Sequence, residues 1–322
     1  MLHLDPKDMS VRDAHLLLLG GVAPRPIALV STVSDDGVVN LSPFSFFNAF
    51  GANPPTVAFS PSTRGRDGTR KDTYYNLTAT KECVIQAVTY DIVQQISLAS
   101  TEYPPEVDEF VKSGLTPEAS EMVKPPRVKE SPFQMECILK EMVSLGEGPG
   151  SGNLAICQVV KFHVAEDLFV GGVIDPDHID LVGRNSANWY TRASGSAMFE
   201  VPKPVDRQGI GFDGLPEHIR KSTILTGNNL AQLANSEEIP AAEAIGESIG
   251  QLQAARLHET TIEAFHRSER LGDIETMLRI VLARDDMDAD ERERLSHRTA
   301  RSALDQGDVW LGWCALLSIR RD

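Results

Sequence analysis

The chain has 322 residues and 41% hydrophobic content, enough for one large domain or a core domain with an appendage and too apolar for a disordered protein. Its formal charge of -15 excludes general nucleic-acid or membrane-lipid binding, so any anion site must be built locally. With no signal-peptide pattern, no apolar stretch of about 18 residues, and no CxxC pair among Cys83, Cys137, Cys157 and Cys314, the reading is a soluble, cytoplasmic protein in a reduced compartment.

Pro26 to Ser34 is rich in β-branched residues, and Asp35-Asp36-Gly37 supplies the turn chemistry of a hairpin into Val38 to Leu41. Asn53-Pro54-Pro55 breaks the chain before a strand at Thr56 to Ser60. A helix capped by Asp72 is expected over Thr73 to Ala79, then a strand at Cys83 to Val88. Helices over Ile92 to Ser100 and around Val107 to Ser113 follow. Phe133 to Met142 and Leu154 to Val164 complete six strands, and Gly146, Gly148, Gly150 and Gly152 between them read as a hairpin connection. The fold class is therefore mainly β, an antiparallel barrel with a few helices.

Residues 1–204 hold nine of the ten lysines, while 205–322 hold one lysine against thirteen arginines. The boundary is placed there, in an extended Val201-Pro202-Lys203-Pro204-Val205 linker. Beyond it, Ile245, Ile249, Leu252, Ala255, Leu257, Ile262 and Phe265 recur at helical spacing. Ile274 to Leu282, Asp290 to Leu304 and Trp310 to Ile319 continue the pattern, giving four or five helices in all.

Rossmann, P-loop, nucleophile-elbow and HExxH signatures are absent, and the eight histidines form no ligand cluster, so no metal is expected. Two stretches carry the chemistry. Asn40 through Asn48 sets Ser45 and Asn48 among Phe44, Phe46 and Phe47, which suits a flat heterocycle with a polar edge and equally suits ordinary core. Ser60 through Thr73 carries four cations against two acids in an acidic protein. Its cations, hydroxyl donors and backbone N–H groups ahead of a predicted helix N-terminus suit a phosphate, or the stretch is simply a solvated basic loop.

Arg25-Pro26, Ser31-Thr32, Asn40 through Asn48, Pro54-Pro55, Lys71-Asp72-Thr73, Pro125-Pro126-Arg127 and Glu130-Ser131-Pro132, in this order and spacing, resemble the flavin reductase-like family. This is the flavoredoxin and nitrilotriacetate monooxygenase reductase-component group, and the likeness runs from about residue 15 to 200. It implies an FMN-binding split β-barrel, a homodimer, and non-covalent FMN near the subunit interface. Carried over, Ser31, Thr32 and the turn Ser45, Phe46, Phe47 and Asn48 line the isoalloxazine and ribityl chain. Ser60, Ser62, Arg64, Lys71 and Thr73 surround the phosphate, and Ser100, Thr101 and Glu102 approach the flavin from the same or the partner subunit. Where relatives carry Arg-Leu-Gly-Gly or His-Gly-Gly before an aromatic, this chain has Arg184-Asn185-Ser186-Ala187-Asn188-Trp189-Tyr190, which reshapes the outer face. His163, Arg184 and Tyr190 are the candidate catalytic groups, His163 also reading as a structural histidine on its strand.

The implied activity passes hydride from NAD(P)H, as co-substrate, to FMN and supplies an acceptor such as a partner oxygenase. The alternatives are an enzyme with tightly bound FMN acting on an organic substrate and a non-catalytic electron-transfer flavoprotein. Residues 205–322, with twenty-one acidic and fourteen basic residues, form a helical extension of unknown role, read first as dimer packing.

Overall fold

The computed structural model describes residues 1–202, 204, 207–254 and 257–318. Lys203 and Val205 of the expected linker, Ala255 of the amphipathic run and Ile319 of the last expected helix lie outside them. The chain divides into two compact units, Met1–Glu200 and Val201–Asp322.

The first unit opens with helix α1 (Val11–Gly21), which the sequence reading left without structure. Ser10 caps it by accepting the Asp13 N–H at 3.1 Å. Strands β1 (Ala28–Val33), β2 (Val39–Phe44), β3 (Phe47–Ala52) and β4 (Pro55–Phe59) follow, then α2 (Asp72–Thr80), β5 (Glu82–Ala87), α3 (Val93–Ala99) and α4 (Glu109–Ser113). Two-residue strands β6 (Pro117–Glu118) and β7 (Arg127–Val128) pair before the long hairpin β8 (Phe133–Ser144) and β9 (Asn153–Val164). The short pairs β10 (Phe169–Val170) with β11 (Val173–Ile174), and β12 (Val182–Arg184) with β13 (Tyr190–Arg192), flank α5 (Pro176–Ile179).

Seven strands form one antiparallel sheet in the order β2-β1-β5-β8-β9-β4-β3. Its two edges are sequence neighbours: Phe44 ends β2 and Phe47 begins β3, so three residues keep the edges within about 10 Å at that corner. The sheet must therefore roll up, without closing by hydrogen bonds between β2 and β3. Alternation along β1 sends Ala28 and Val30 to the interior with Phe59, Ile85, Cys137 and Cys157. Ile27 and Leu29 point outward under Ile92, Ile96 and Phe110 of the α3–α4 layer.

Three expectations need correction. Ser45 to Asn48 is not a turn throughout, because Phe47 and Asn48 open β3. Asp72 is the first residue of α2, Lys71 holds the cap position, and no side chain caps that end. The segment 241–265 is not one helical run: α8 (Ala242–Ala254) ends before Thr261, which caps α9 (Ile262–Leu271). The glycine-rich stretch 145–152 does connect β8 to β9.

Seven helices occur among the described residues of the second unit. They are α6 (Glu217–Arg220), α7 (Gly227–Ala234), α8, α9, α10 (Ile274–Ala283), α11 (Ala289–Asp305) and α12 (Val309–Leu317). The sequence reading missed the two shortest because four and eight residues show too little periodicity. Trp313 is fully buried among Leu233, Leu278 and Leu304, its indole N–H donating to Ser236 Oγ at 3.0 Å. No helix among the described residues is long and apolar enough to cross a membrane.

Candidate functional site

The corner where the sheet edges meet carries a cavity of about 940 Å³, between α1, β3, β4 and the β8–β9 hairpin. Leu18, Phe46, Phe47 and Leu154 give it apolar walls, while Asn48, Ser60, Ser62 and Thr63 supply a polar edge. His15 of α1 meets the Phe46 ring edge-on at 6.1 Å. The connecting loop of the hairpin packs so closely on α1 that a Cβ on Gly150, at φ +80°, would lie 2.9 Å from Val11 Cγ1.

The polar edge is fixed from behind. Ser60 N–H donates to the Phe46 carbonyl at 2.9 Å, and Ser60 Oγ accepts the Asn153 N–H at 3.1 Å beside Ser62 Oγ. The buried Asn153 amide donates to Pro61 O and Thr63 Oγ1, each at 3.2 Å. Ser60 and Ser62 thus hold set positions on the cavity wall.

Thr63 and Gly65 line the same cavity and flank Arg64, so the basic loop begins at its rim. Arg64 ties the loop into a turn, donating to Thr69 Oγ1 at 3.2 Å and Arg70 O at 2.6 Å. It also pairs with Asp72 at 3.6 Å and Glu102 at 3.3 Å. Asp67 accepts the Thr69 hydroxyl and N–H, which draws its carboxyl down to about 2. Lys71 is half-buried with Nζ 5.1 Å from the centre of the Phe44 ring. Burial, then the Arg64 charge, pulls its pKa down, against a smaller rise from the Glu102 carboxylate, and Lys71 makes no ion pair among the described residues.

Three expected contact residues lie in a buried network instead. Glu109 of α4 accepts Leu41 N–H at 3.0 Å and the Asn40 amide at 3.1 Å. Asn40 Oδ1 in turn accepts the Thr73 hydroxyl at 2.8 Å, and Thr32 Oγ1 accepts the Asn76 amide at 3.2 Å. Burial raises the Glu109 carboxyl above its ordinary value, its hydrogen bonds opposing the rise. Ser31 is fully buried and donates to the Pro126 carbonyl. Thr32 and Thr73 therefore brace α2 against the sheet, and Ser31 braces the 126 loop.

The remaining candidates sit elsewhere. Ser100, Arg184 and Tyr190 line a second cavity of about 600 Å³ with Tyr90 and Arg192, where Arg184 lies 4.6 Å over the Tyr190 ring. Ala187, in the stretch where the resemblance implies glycines, lies in the left-handed region at φ +50°. Thr101 is exposed and Glu102 pairs with the arginines of the basic loop. His163 is bonded at 2.6 Å to Glu136, whose fully buried carboxylate also accepts the N–H groups of Glu121, Met122 and Val123. Through Glu136, His163 is thus linked to the 121–123 loop.

Sequence reasoning missed Arg25. It is 4% exposed and donates to Leu19 O at 2.8 Å, Val22 O at 2.7 Å, Asn185 O at 3.2 Å and Ser45 Oγ at 3.3 Å. One guanidinium thus joins the end of α1, the Ser45 corner and the 185 loop. An arginine directly before the apolar run Pro26 to Val30 was the available signal.

The profile of the flavin reductase like domain family matches residues 20–176, within the first unit. An uncharacterized protein of Aquifex aeolicus is 39% identical over 186 residues, covering 58% of this chain and 92% of that protein. The crystal structure of nitrilotriacetate monooxygenase component B from Bacillus cereus superposes with a TM-score of 0.59 at 34% identity, covering 62% of this chain and 98% of that one. A Shewanella frigidimarina structure described as having a split barrel domain gives a TM-score of 0.54 at 25% identity, covering 63% and 100%. The rolled, unclosed sheet is the same architecture, and the likeness supports a flavin cofactor and an oxidoreductase role. With the rolled sheet, the corner cavity and these likenesses in agreement, the chain belongs to the flavin reductase-like family.

Proposed function

We propose that this protein binds FMN non-covalently and is an NAD(P)H-dependent flavin reductase-like oxidoreductase that passes reducing equivalents to an acceptor such as a partner monooxygenase, as a homodimer in the cytoplasm. The carrying observation is the corner cavity whose apolar wall and hydroxyl edge run into a basic loop with a half-buried, unpaired Lys71. A volume of about 940 Å³ suits a ligand of this size. A lysine that is desolvated and makes no ion pair among the described residues is a donor that a phosphate would complete.

FMN, when bound, supplies the hydride-accepting chemistry. Phe46, Phe47 and Leu154 exclude water from the flat ring, while Asn48, Ser60 and Ser62 orient polar atoms. Lys71 and Arg64 hold the phosphate by charge-assisted hydrogen bonds. Ser31, Thr32 and Thr73 act behind this wall by fixing α2 and the adjoining loops.

The test is the absorbance spectrum of the purified protein before and after anaerobic NADH and then NADPH, with the released cofactor identified by mass. Flavin bands that match FMN and bleach with a nicotinamide nucleotide are expected. A colourless protein that takes up no added FMN would overturn the reading. The arginine- and tyrosine-lined second cavity favours one other reading, an enzyme that retains FMN and reduces an organic substrate. Full turnover without added free FMN would favour that enzyme over a reductase that saturates in free FMN.

A further inference from the structure

Arg64 and Arg66 share a carboxylate from outside their own loop. Glu102, in the turn after α3, places Oε1 3.3 Å from Arg64 Nε and Oε2 3.1 Å from an Arg66 terminal nitrogen. The other acids of the cluster are bound into local structure: Asp67 holds Thr69, and Asp72 opens α2. Glu102 differs. Its side chain is 47% exposed and has no other hydrogen bond among the described residues, so it can swing away without uncapping a helix or uncovering a buried group.

Lys71 feels the same carboxylate, which raises its pKa against the lowering by burial and by Arg64. Glu102 thus already neutralises part of the charge that the loop offers to an anion. A phosphomonoester at Arg64 and Lys71 carries roughly two negative charges at neutral pH and meets this carboxylate as a like charge.

We propose that Glu102 is an internal counter-anion of the basic loop, displaced when a phosphomonoester enters, and that it therefore sets how strongly the site prefers a phosphorylated flavin over the uncharged parent. This inference rests on the FMN reading above. It gives Glu102 a different role from the approach to the flavin that the resemblance implies.

The experiment compares FMN and riboflavin affinities of the full chain by flavin fluorescence, for the wild type and Glu102→Gln, at low and high salt. Half-exposed ion pairs are weak, so FMN should bind about three- to tenfold more tightly to Glu102→Gln at low salt. Riboflavin affinity should stay unchanged, and the FMN gain should shrink at high salt. If the wild type binds FMN and the variant binds it equally or less tightly, the counter-anion role is wrong while the FMN reading stands. Equal gains for both flavins would also overturn it, because the effect would then be on cavity shape. If neither protein binds FMN, the reading and this inference fall together.

Discussion

Arg25 and Lys71 are both cations drawn away from water with no carboxylate paired to them, and burial pulls both pKa values down. They differ in what their donors meet. Arg25 directs its guanidinium at three carbonyls and a hydroxyl, so its hydrogen-bonding capacity is engaged inside the protein. Lys71 faces an aromatic ring, and its ammonium has no hydrogen-bond acceptor among the described residues. The comparison separates a cation that holds the fold from one that awaits an anion, a distinction that neither charge nor burial makes alone.

Replacing Arg25 is the strongest way to break this comparison. Arg25→Ala leaves the Leu19, Val22 and Asn185 carbonyls without their donor and should cost about 3 kcal/mol, read by chemical denaturation. A loss below about 1 kcal/mol would show that water replaces the guanidinium and that Arg25 is no scaffold. Lys71→Met should do the converse. Its stability should stay within about 1 kcal/mol of wild type, while FMN affinity falls by about 1.5 to 3 kcal/mol, near 10- to 150-fold. Equal FMN affinity in this variant would remove Lys71 from the phosphate site.

Two smaller effects sharpen the contrast through pH. The folded protein holds the Lys71 pKa below 10.5, so between the two values the unfolded chain binds more protons and stability rises with pH. That rise should vanish in Lys71→Met and flatten when FMN is bound. Glu109 has the opposite sign. Its folded pKa lies above 4.5, so its contribution is full below 4.5 and is lost as pH rises through the folded value. Stability profiles of Glu109→Gln should lack that fall, and an unchanged slope would mean that Glu109 titrates as it does in the unfolded chain.

The sheet was legible because its strands carry strong local signals. β1, β4, β5 and β9 lie within two residues of their expected ends, since apolar, β-branched runs encode the strand, and Asp36-Gly37 after β1 and Pro54-Pro55 at the start of β4 mark its limits. β3 was not, because Phe47-Asn48-Ala49-Phe50-Gly51-Ala52 has no β-branched residue and acquires strand geometry only by pairing with β4. At the site, Phe46, Phe47, Asn48, Ser60 and Ser62 line one cavity. Arg64 and Lys71 belong to the basic loop that begins beside this cavity, but only the structure shows that Arg64 is already paired and Lys71 is not.

The sequence by itself determined the alternating apolar pattern that makes a sheet, the local excess of cations in an acidic chain, and the residue order that marks the family. Tertiary structure alone decided which of these groups remain available. A hydroxyl or a cation reads the same in sequence whether its partner is ligand or protein, and Ser31, Thr32, Thr73 and Arg25 meet theirs across strands and loops distant in the chain.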